Sequence, residues 1–296
     1  MSISEEQLSN WTKPASDSEE TRIENAIKMV RDAINSDTKL SKMNLEIFCQ
    51  GSYANNTNVR LNSDVDINVR HNDIYFYNIP SDMQKEQFPD LVRDPDGNYP
   101  FASFKSDVEK ALNAKFGHVT RKNKCLHISE NSYHTEVDVV PTFKHRWYRK
   151  DGSYDLGVAL FADNNGQKIV NYPLQHIENG KIYNEKTSRK FKRLVRIFKN
   201  IQYNMQENKI PLNSNISSFL LECLVWNCPG DIFLPETWQG RLRKAMVFIY
   251  DKTKSREACD KWLEVSNLLY LFYGHKWNYA DVNQSMIQMY NYVFED

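Results

Sequence analysis

Three aspartates on strand-like segments are the residues of this chain best suited to chemistry. In Asp64-Val65-Asp66-Ile67-Asn68-Val69, polar and apolar side chains alternate, the period of a strand with one buried face. Asp64, Asp66 and Asn68 then share a face, with the two carboxylates roughly 7 Å apart along it. Like charges so close resist burial unless a cation or a proton neutralises one of them. Magnesium prefers oxygen ligands and pairs with substrate phosphates, so it suits the pair. A second run, Val137-Asp138-Val139-Val140-Pro141, sets an acid among valines, where it needs a partner; Glu136 is the competing acid on the same face. Upstream, Gly51-Ser52 follows an apolar run. Glycine there lets the backbone approach a ligand closely, and Ser52 offers a hydroxyl and an N–H to a phosphate. Alone, an Asp-x-Asp is a weak signal, because surface strands often carry one.

The combined order of apolar strand, Gly51-Ser52, eleven residues and Asp64-x-Asp66 resembles the nucleotidyltransferase superfamily. The resemblance implies that these aspartates hold two Mg2+ ions over a nucleoside triphosphate. It also implies a third aspartate on a later strand, and Val-Asp-Val-Val-Pro matches that pattern, which favours Asp138 over Glu136. In such a site one ion acidifies the attacking hydroxyl, and the other neutralises the triphosphate and the leaving pyrophosphate. Asp138, bound to the first ion, is placed to accept the hydroxyl proton.

The elements that must position these groups are readable along the chain. Its 296 residues, 41% hydrophobic, allow one large or two moderate domains. Residues 1–18 read as a loose polar arm, and a helix opens at Ser18, with Ile23, Ala26, Ile27, Val30 and Ile34 on one side. Strands are expected over 45–51 and 64–70, joined by an Asn-rich loop whose Arg60 reads as a solvated arginine. From Asp73 to Pro100 the chain reads as irregular, an insertion or a lid. A helix follows over Phe101–Phe116, stopped by Gly117, and then strand, turn, strand, turn and strand, the last carrying Asp138. The stretch 167–180 reads as a strand, a Pro turn and a polar loop. Residues 187–206 form the clearest helix, with Phe191, Leu194, Val195, Phe198 and Met205 as its apolar stripe. Beside it runs a basic stripe of Lys192, Arg196 and Lys199; a solvated face is one reading of it, weakened because the charges repel one another unless an anion offsets them. Beyond residue 216 the chain reads as helical, with amphipathic stretches beginning near Thr237, Ser255 and Asn278; Phe219 is expected in the core, stacking on a base being its other reading.

Composition narrows the function. Lys+Arg and Asp+Glu balance at 38 each, so no basic field covers the whole molecule, and no nucleic-acid activator is evident. Five scattered cysteines argue against a disulfide framework, and Cys223 and Cys228 read as core rather than zinc ligands. No apolar run reaches a membrane span, and no signal sequence opens the chain. The cytoplasm is the expected compartment.

Tyr172-Pro173, His176 and Asn179-Gly180 narrow the resemblance to the cGAS/DncV-like CD-NTase family, the bacterial cyclic-oligonucleotide synthases. In its uridine-using branch an Asn faces the base just before this turn, and Asn171 matches that position. An Asn amide suits uracil, and equally adenine; the other reading of the residue is a turn-initiating Asn. The resemblance further implies a triphosphate-binding lysine on the 187–206 helix, assigned to Lys199, and a phosphate-contacting serine some twenty residues on. Ser217 and Ser218 compete for the latter role, and Ser218, just before an aromatic, is preferred.

The reading is an α+β, bilobed fold: a mixed-sheet catalytic lobe over 1–185, a helical lobe over 186–296, and the active site between them. The expected activity is magnesium-dependent synthesis of a cyclic dinucleotide from two nucleoside triphosphates, UTP among them, with ATP or another as partner. The product would be a second messenger in antiphage signalling, read by a downstream effector, and the enzyme a monomer. Transfer to an RNA 3′ end or a protein, and an inert nucleotide-binding protein, are the alternatives.

Overall fold

The structure is a computed structural model and describes residues 3–14, 16–59, 64–88, 99–274 and 276–295. Arg60 and much of the 73–100 stretch lie outside the described residues. The chain divides into two compact units, Ser16–Ala54 with Ser63–Leu174, and Met1–Ala15 with Asn55–Asn62 and Gln175–Asp296. This differs from the single cut expected at 185/186.

The first unit is built on a mixed sheet. Strands β1 (Leu45–Gln50), β2 (Val65–Asn78), β3 (Thr120–Arg121), β4 (Leu126–Ile128), β5 (Val137–Tyr148), β6 (Tyr154–Phe161) and β7 (Lys168–Asn171) run in the order β1-β2-β5-β4-β3, with β6 on the far half of β5 and β7 beyond it. β5 lies parallel to β2 and antiparallel to β4 and β6. The helices of this unit are α2 (Asp17–Ser36), the one-turn α3 (Gly51–Ala54) and α4 (Phe101–Phe116). The N-terminal α1 (Glu5–Asn10) belongs to the other unit.

Alternation along the strands makes the core. Val65, Ile67 and Val69 of β2 and Val137 and Val139 of β5 are fully buried, in one cluster with Ile23, Ala26 and Val30 of α2 and Phe104, Val108 and Leu112 of α4. One start of α2 is set by Ser16, whose N–H donates to Glu19 at 2.7 Å, two residues before the expected opening. α4 has the expected bounds, and Gly117 after it takes φ +80, a conformation that costs glycine little. β2 outruns its expected end at residue 70: a register shift between His71 and Tyr75 lets it continue beside β5 to Asn78, so 73–78 is strand, not an irregular insertion.

The second unit is helical: α1, α5 (Pro173–Lys186), α6 (Phe191–Glu207), α7 (Ser218–Trp226), α8 (Trp238–Lys252) and α9 (Tyr279–Phe294). The whole expected stripe of α6 is buried, among Leu220 and Leu224 of α7, Leu242 and Ile249 of α8 and Met286 and Val293 of α9. The N-terminal residues are not a loose arm. Leu8 is fully buried in this core, and the Glu5 carboxylate accepts from Trp238 N (2.7 Å) and Gln239 N (2.8 Å), a negative charge at the positive end of α8. The polar loop expected after Pro173 is helix instead, since proline suits a first helical position, where its missing N–H is not needed. No helix forms from Ser255. Cys259, Trp262, Val265 and Leu271 are buried from turns around a Leu263–Tyr270 bridge.

Candidate active site

Sheet register brings two of the three aspartates together. Asp66 of β2 lies directly beside Asp138 of β5, as Val65 does beside Val137. Both are half-buried on the polar face, where Asn68 is locked between Gln50 (3.0 Å) and Thr142 (2.7 Å). Asp64 stands one residue before β2 and is exposed, as is Glu136 ahead of β5; Glu136 contributes a carbonyl that accepts Val65 N at 3.0 Å. Among the described residues no three acid, His or Cys side chains stand close enough to hold an ion by themselves.

Asp138 has neighbours that the sequence reading missed. His127 Nδ1 lies 2.8 Å from its Oδ1, and the Lys122 ammonium lies 3.4 Å away. His127 is the register partner of Asp138 on β4, so the strand-turn-strand pattern held the signal. The Cys125 thiol also faces this carboxylate; burial first, then the Asp138 charge, pushes it up to about 12, keeping it a neutral donor. The donor set fits magnesium. A cation, Lys122, already sits against Asp138, and magnesium takes only one or two carboxylates when phosphates and waters complete its shell.

Gly51 opens α3 at φ +67, and a Cβ there would stand 1.9 Å from Asp66 Oδ2. The backbone at the Gly-Ser turn therefore comes directly under the Asp66 carboxylate, and Ser52 follows it at the start of a helical turn. Gly51→Ala should displace that carboxylate. A misplacement of about 1 Å costs about a hundredfold in rate, so turnover should fall by about that factor, with the circular dichroism spectrum retained. Turnover within twofold of wild type would rule the close approach out of the mechanism.

Asn171 ends β7, opposite Val158 of β6. Its neighbour Tyr172 is buried (2% exposed), packed beside His145 and Trp147. Gly157 makes room, since a Cβ there would stand 2.8 Å from both the Asn171 carbonyl and the Tyr172 ring. Burial, then Lys168, pulls His145 down to about 4, against about 6.5 unfolded. The folded imidazole stays neutral, so its contribution is whole above pH 6.5 and lost as pH falls from there to about 4. Unfolding free energy measured in urea should drop between pH 6.5 and 4, and His145→Phe should remove that part of the slope; an unaltered slope would contradict the assignment.

In the helical unit, Lys199 is buried (3% exposed) rather than on a solvated face. Its ammonium lies 3.2 Å from Glu222 Oε2 and 3.0 Å from Thr57 Oγ1. Thr57 donates to the same Glu222 oxygen at 2.8 Å, and His176 Nε2 sits 3.0 Å from Oε1. Burial alone would push the Glu222 carboxyl up; Lys199, with His176 and Thr57, holds it well below the usual carboxylate range. Neither of the two partners of Lys199, Glu222 and Thr57, was singled out for this role from sequence; 142 residues separate Thr57 from Lys199. At the start of α7, Ser217 is the cap, its hydroxyl accepting Leu220 N at 3.2 Å. Ser218 is the first helical residue, its hydroxyl outside that cap, at an end suited to phosphate. Phe219 is not core: it is 36% exposed and stacks on Trp277 with ring centroids 5.6 Å apart. Cys223 and Cys228 are buried, as expected of core cysteines.

The family of cGAS/DncV-like nucleotidyltransferase C-terminal helical domains matches residues 178–294. A cyclic dipyrimidine nucleotide synthase of Cecembia lonarensis is 48% identical over 293 residues, 98% of each chain. That of Legionella pneumophila is 34% identical, over 99% of each. The chain belongs to the cGAS/DncV-like nucleotidyltransferases. A solved cyclic dinucleotide synthase of Elizabethkingia meningoseptica, holding GTP and a non-hydrolysable ATP analogue, superposes with TM-score 0.82 at 34% identity, over 99% of both chains. This CD-NTase is thus a nucleotidyltransferase of α+β fold, as its motifs implied. No helix among its described residues is long and apolar enough to cross a membrane.

Proposed function

We propose that this CD-NTase joins two nucleoside triphosphates into a cyclic dinucleotide, with UTP among its substrates. The observation that carries the reading is the in-register pair Asp66 and Asp138 over Gly51, in a chain similar throughout its length to dipyrimidine synthases. Asp64, Asp66 and Asp138 would hold two Mg2+ ions, which supply acidification of the attacking hydroxyl and neutralisation of the leaving pyrophosphate. Ser52, Lys199 and Ser218 bind triphosphate oxygens through a hydroxyl, an ammonium and a helix start. A ribose hydroxyl oxygen attacks the α-phosphorus, the bond to the bridging oxygen breaks, and pyrophosphate leaves with its charge compensated. Asp138 accepts the hydroxyl proton, with His127 beside its Oδ1. A second such transfer closes the ring and releases a second pyrophosphate.

Asn171 supports uridine, its amide offering both a donor and an acceptor to the base edge. The product would act as a second messenger in antiphage defence, made in the cytoplasm by a monomer and read by an effector that binds it.

Incubating the full chain with magnesium and all four labelled triphosphates, then phosphatase, should leave a resistant product whose mass is that of a uridine-containing cyclic dinucleotide. Asn171→Ser should shift its base composition. Label on a macromolecule would overturn cyclisation, and a purely purine product would overturn the base assignment.

A further inference from the structure

The basic stripe of α6 does not act as one unit. Lys199 turns to Glu222, whereas Lys192 and Arg196 line a separate cavity of about 370 Å³, within the size range of small-ligand sites. Lys13, Arg189, Arg193 and Asn56 also line it, and the remaining lining residues among those described are uncharged. Five cations thus share one wall system without a carboxylate. Among the described residues, Arg189, Lys192 and Arg193 form no ion pair. Arg196 (5% exposed) is spent on backbone, donating to Thr12 O at 2.7 Å and Asn56 O at 2.6 Å; burial, then Arg193, pulls it down to about 10, and burial lowers Lys192 as well, with the Glu222 charge opposing that shift from outside the cavity lining.

Two of the lining residues, Arg189 and Asn56, take positive φ (61 and 51), as does Ser188 next to Arg189 (52), conformations that cost non-glycine residues energy and that concentrate at ligand clamps and other functional sites. Lys192 and Arg196 are withdrawn from water while Lys13, Arg189 and Arg193 stay exposed at the mouth, and like charges gathered in one concave wall repel one another less when an anion enters.

We infer that this cavity binds a compact anion carrying two or more phosphate groups, at a site distinct from the triphosphate contacts of Lys199 and Ser218. Guanidinium forks and ammonium donors suit phosphate oxygens. A compact anion is favoured over nucleic acid because the molecule balances 38 basic against 38 acidic residues, leaving no general field to hold a long phosphodiester. The cavity is one peptide from the Lys199 network: Asn56 accepts Arg196, and Thr57 accepts from Lys199. Occupancy therefore bears on the residues that hold that lysine. This inference stands whether or not the product is cyclic.

The test uses the full chain and inorganic tripolyphosphate, titrated calorimetrically in EDTA. Lys13 and Arg193 are exposed, so Lys13→Ala/Arg193→Ala should fold; Arg193→Gln alone is the milder variant. The double variant is expected to weaken one tripolyphosphate binding event at least tenfold, and Arg193→Gln severalfold, while KM for nucleoside triphosphates is unchanged. Unaltered tripolyphosphate binding in both variants would overturn the inference. So would a KM that rises in step, since the cavity would then belong to the substrate site. Tighter binding of a twenty-nucleotide single strand than of tripolyphosphate, lost in the same variants, would replace the compact anion with nucleic acid.

Discussion

Asp66→Asn is expected to cut product formation about a thousandfold while leaving the protein folded. The substitution keeps the shape of the side chain and removes one charge from a metal-binding pair. Metal-assisted stabilisation of the transition state amounts to several kcal/mol, and each 1.36 kcal/mol is a factor of ten. Asp66 and Asp138 are register partners on parallel strands, so Asp138→Ala should act on the same step and the double variant should add little. Chelating metal from the wild-type protein should reproduce the loss, and magnesium should reverse it for wild type alone. Pyrophosphate release together with product mass provides the measurement. Activity in Asp66→Asn within tenfold of wild type would dismantle the metal assignment.

Glu222→Ala carries the other large effect. Glu222 is 3% exposed and receives Lys199, His176 and Thr57. Its removal leaves the Lys199 ammonium buried without its counter-charge, a change that typically costs about 3–5 kcal/mol. Urea unfolding at pH 7 should show a loss of that size; a loss below about 1 kcal/mol would mean that the network contributes little. The acid dependence has a definite sign. Because the folded carboxyl titrates below its ordinary range, its stabilisation is complete above the unfolded value of about 4.3 and lost as pH falls through and below it. Glu222→Gln should remove that acid-dependent share and, if Lys199 binds the triphosphate, raise KM for nucleoside triphosphates more than it lowers kcat.

Much of the site was legible where chemistry and local periodicity coincide. Asp64, Asp66 and Asp138 stood out because acids alternating with or flanked by valines contradict burial unless something compensates them. α4 was delimited by its apolar face and Gly117, and α6 by its stripe of Phe191, Leu194, Val195, Phe198 and Met205; both are local signals with a period of about 3.6 residues. The N-terminal α1 escaped notice because one turn and a half with a single deeply buried residue, Leu8, leaves no period to detect. The 255–277 stretch was misread for the opposite reason: its apolar residues are buried from turns, and burial without regular hydrogen bonding mimics amphipathic spacing. Phe219 looked like core because aromatic residues usually are, yet it stacks at the surface on Trp277, 58 residues away.

The sequence by itself determined where acids alternate with buried valines, where a glycine precedes them, and which helix carries a basic stripe beside its apolar one; the resemblance to a family added the candidate roles of Lys199 and Ser218. The local features reside in residue types and in spacings of a few positions. Only the tertiary structure decided which groups meet. The parallel register that sets Asp66 beside Asp138, the His127 and Lys122 contacts on that carboxylate, and the separation of Lys199 from Lys192 and Arg196 all join residues distant in the chain. Such pairings are selected by the burial of whole faces and the neutralisation of charge across strands and helices, energies that no local window contains.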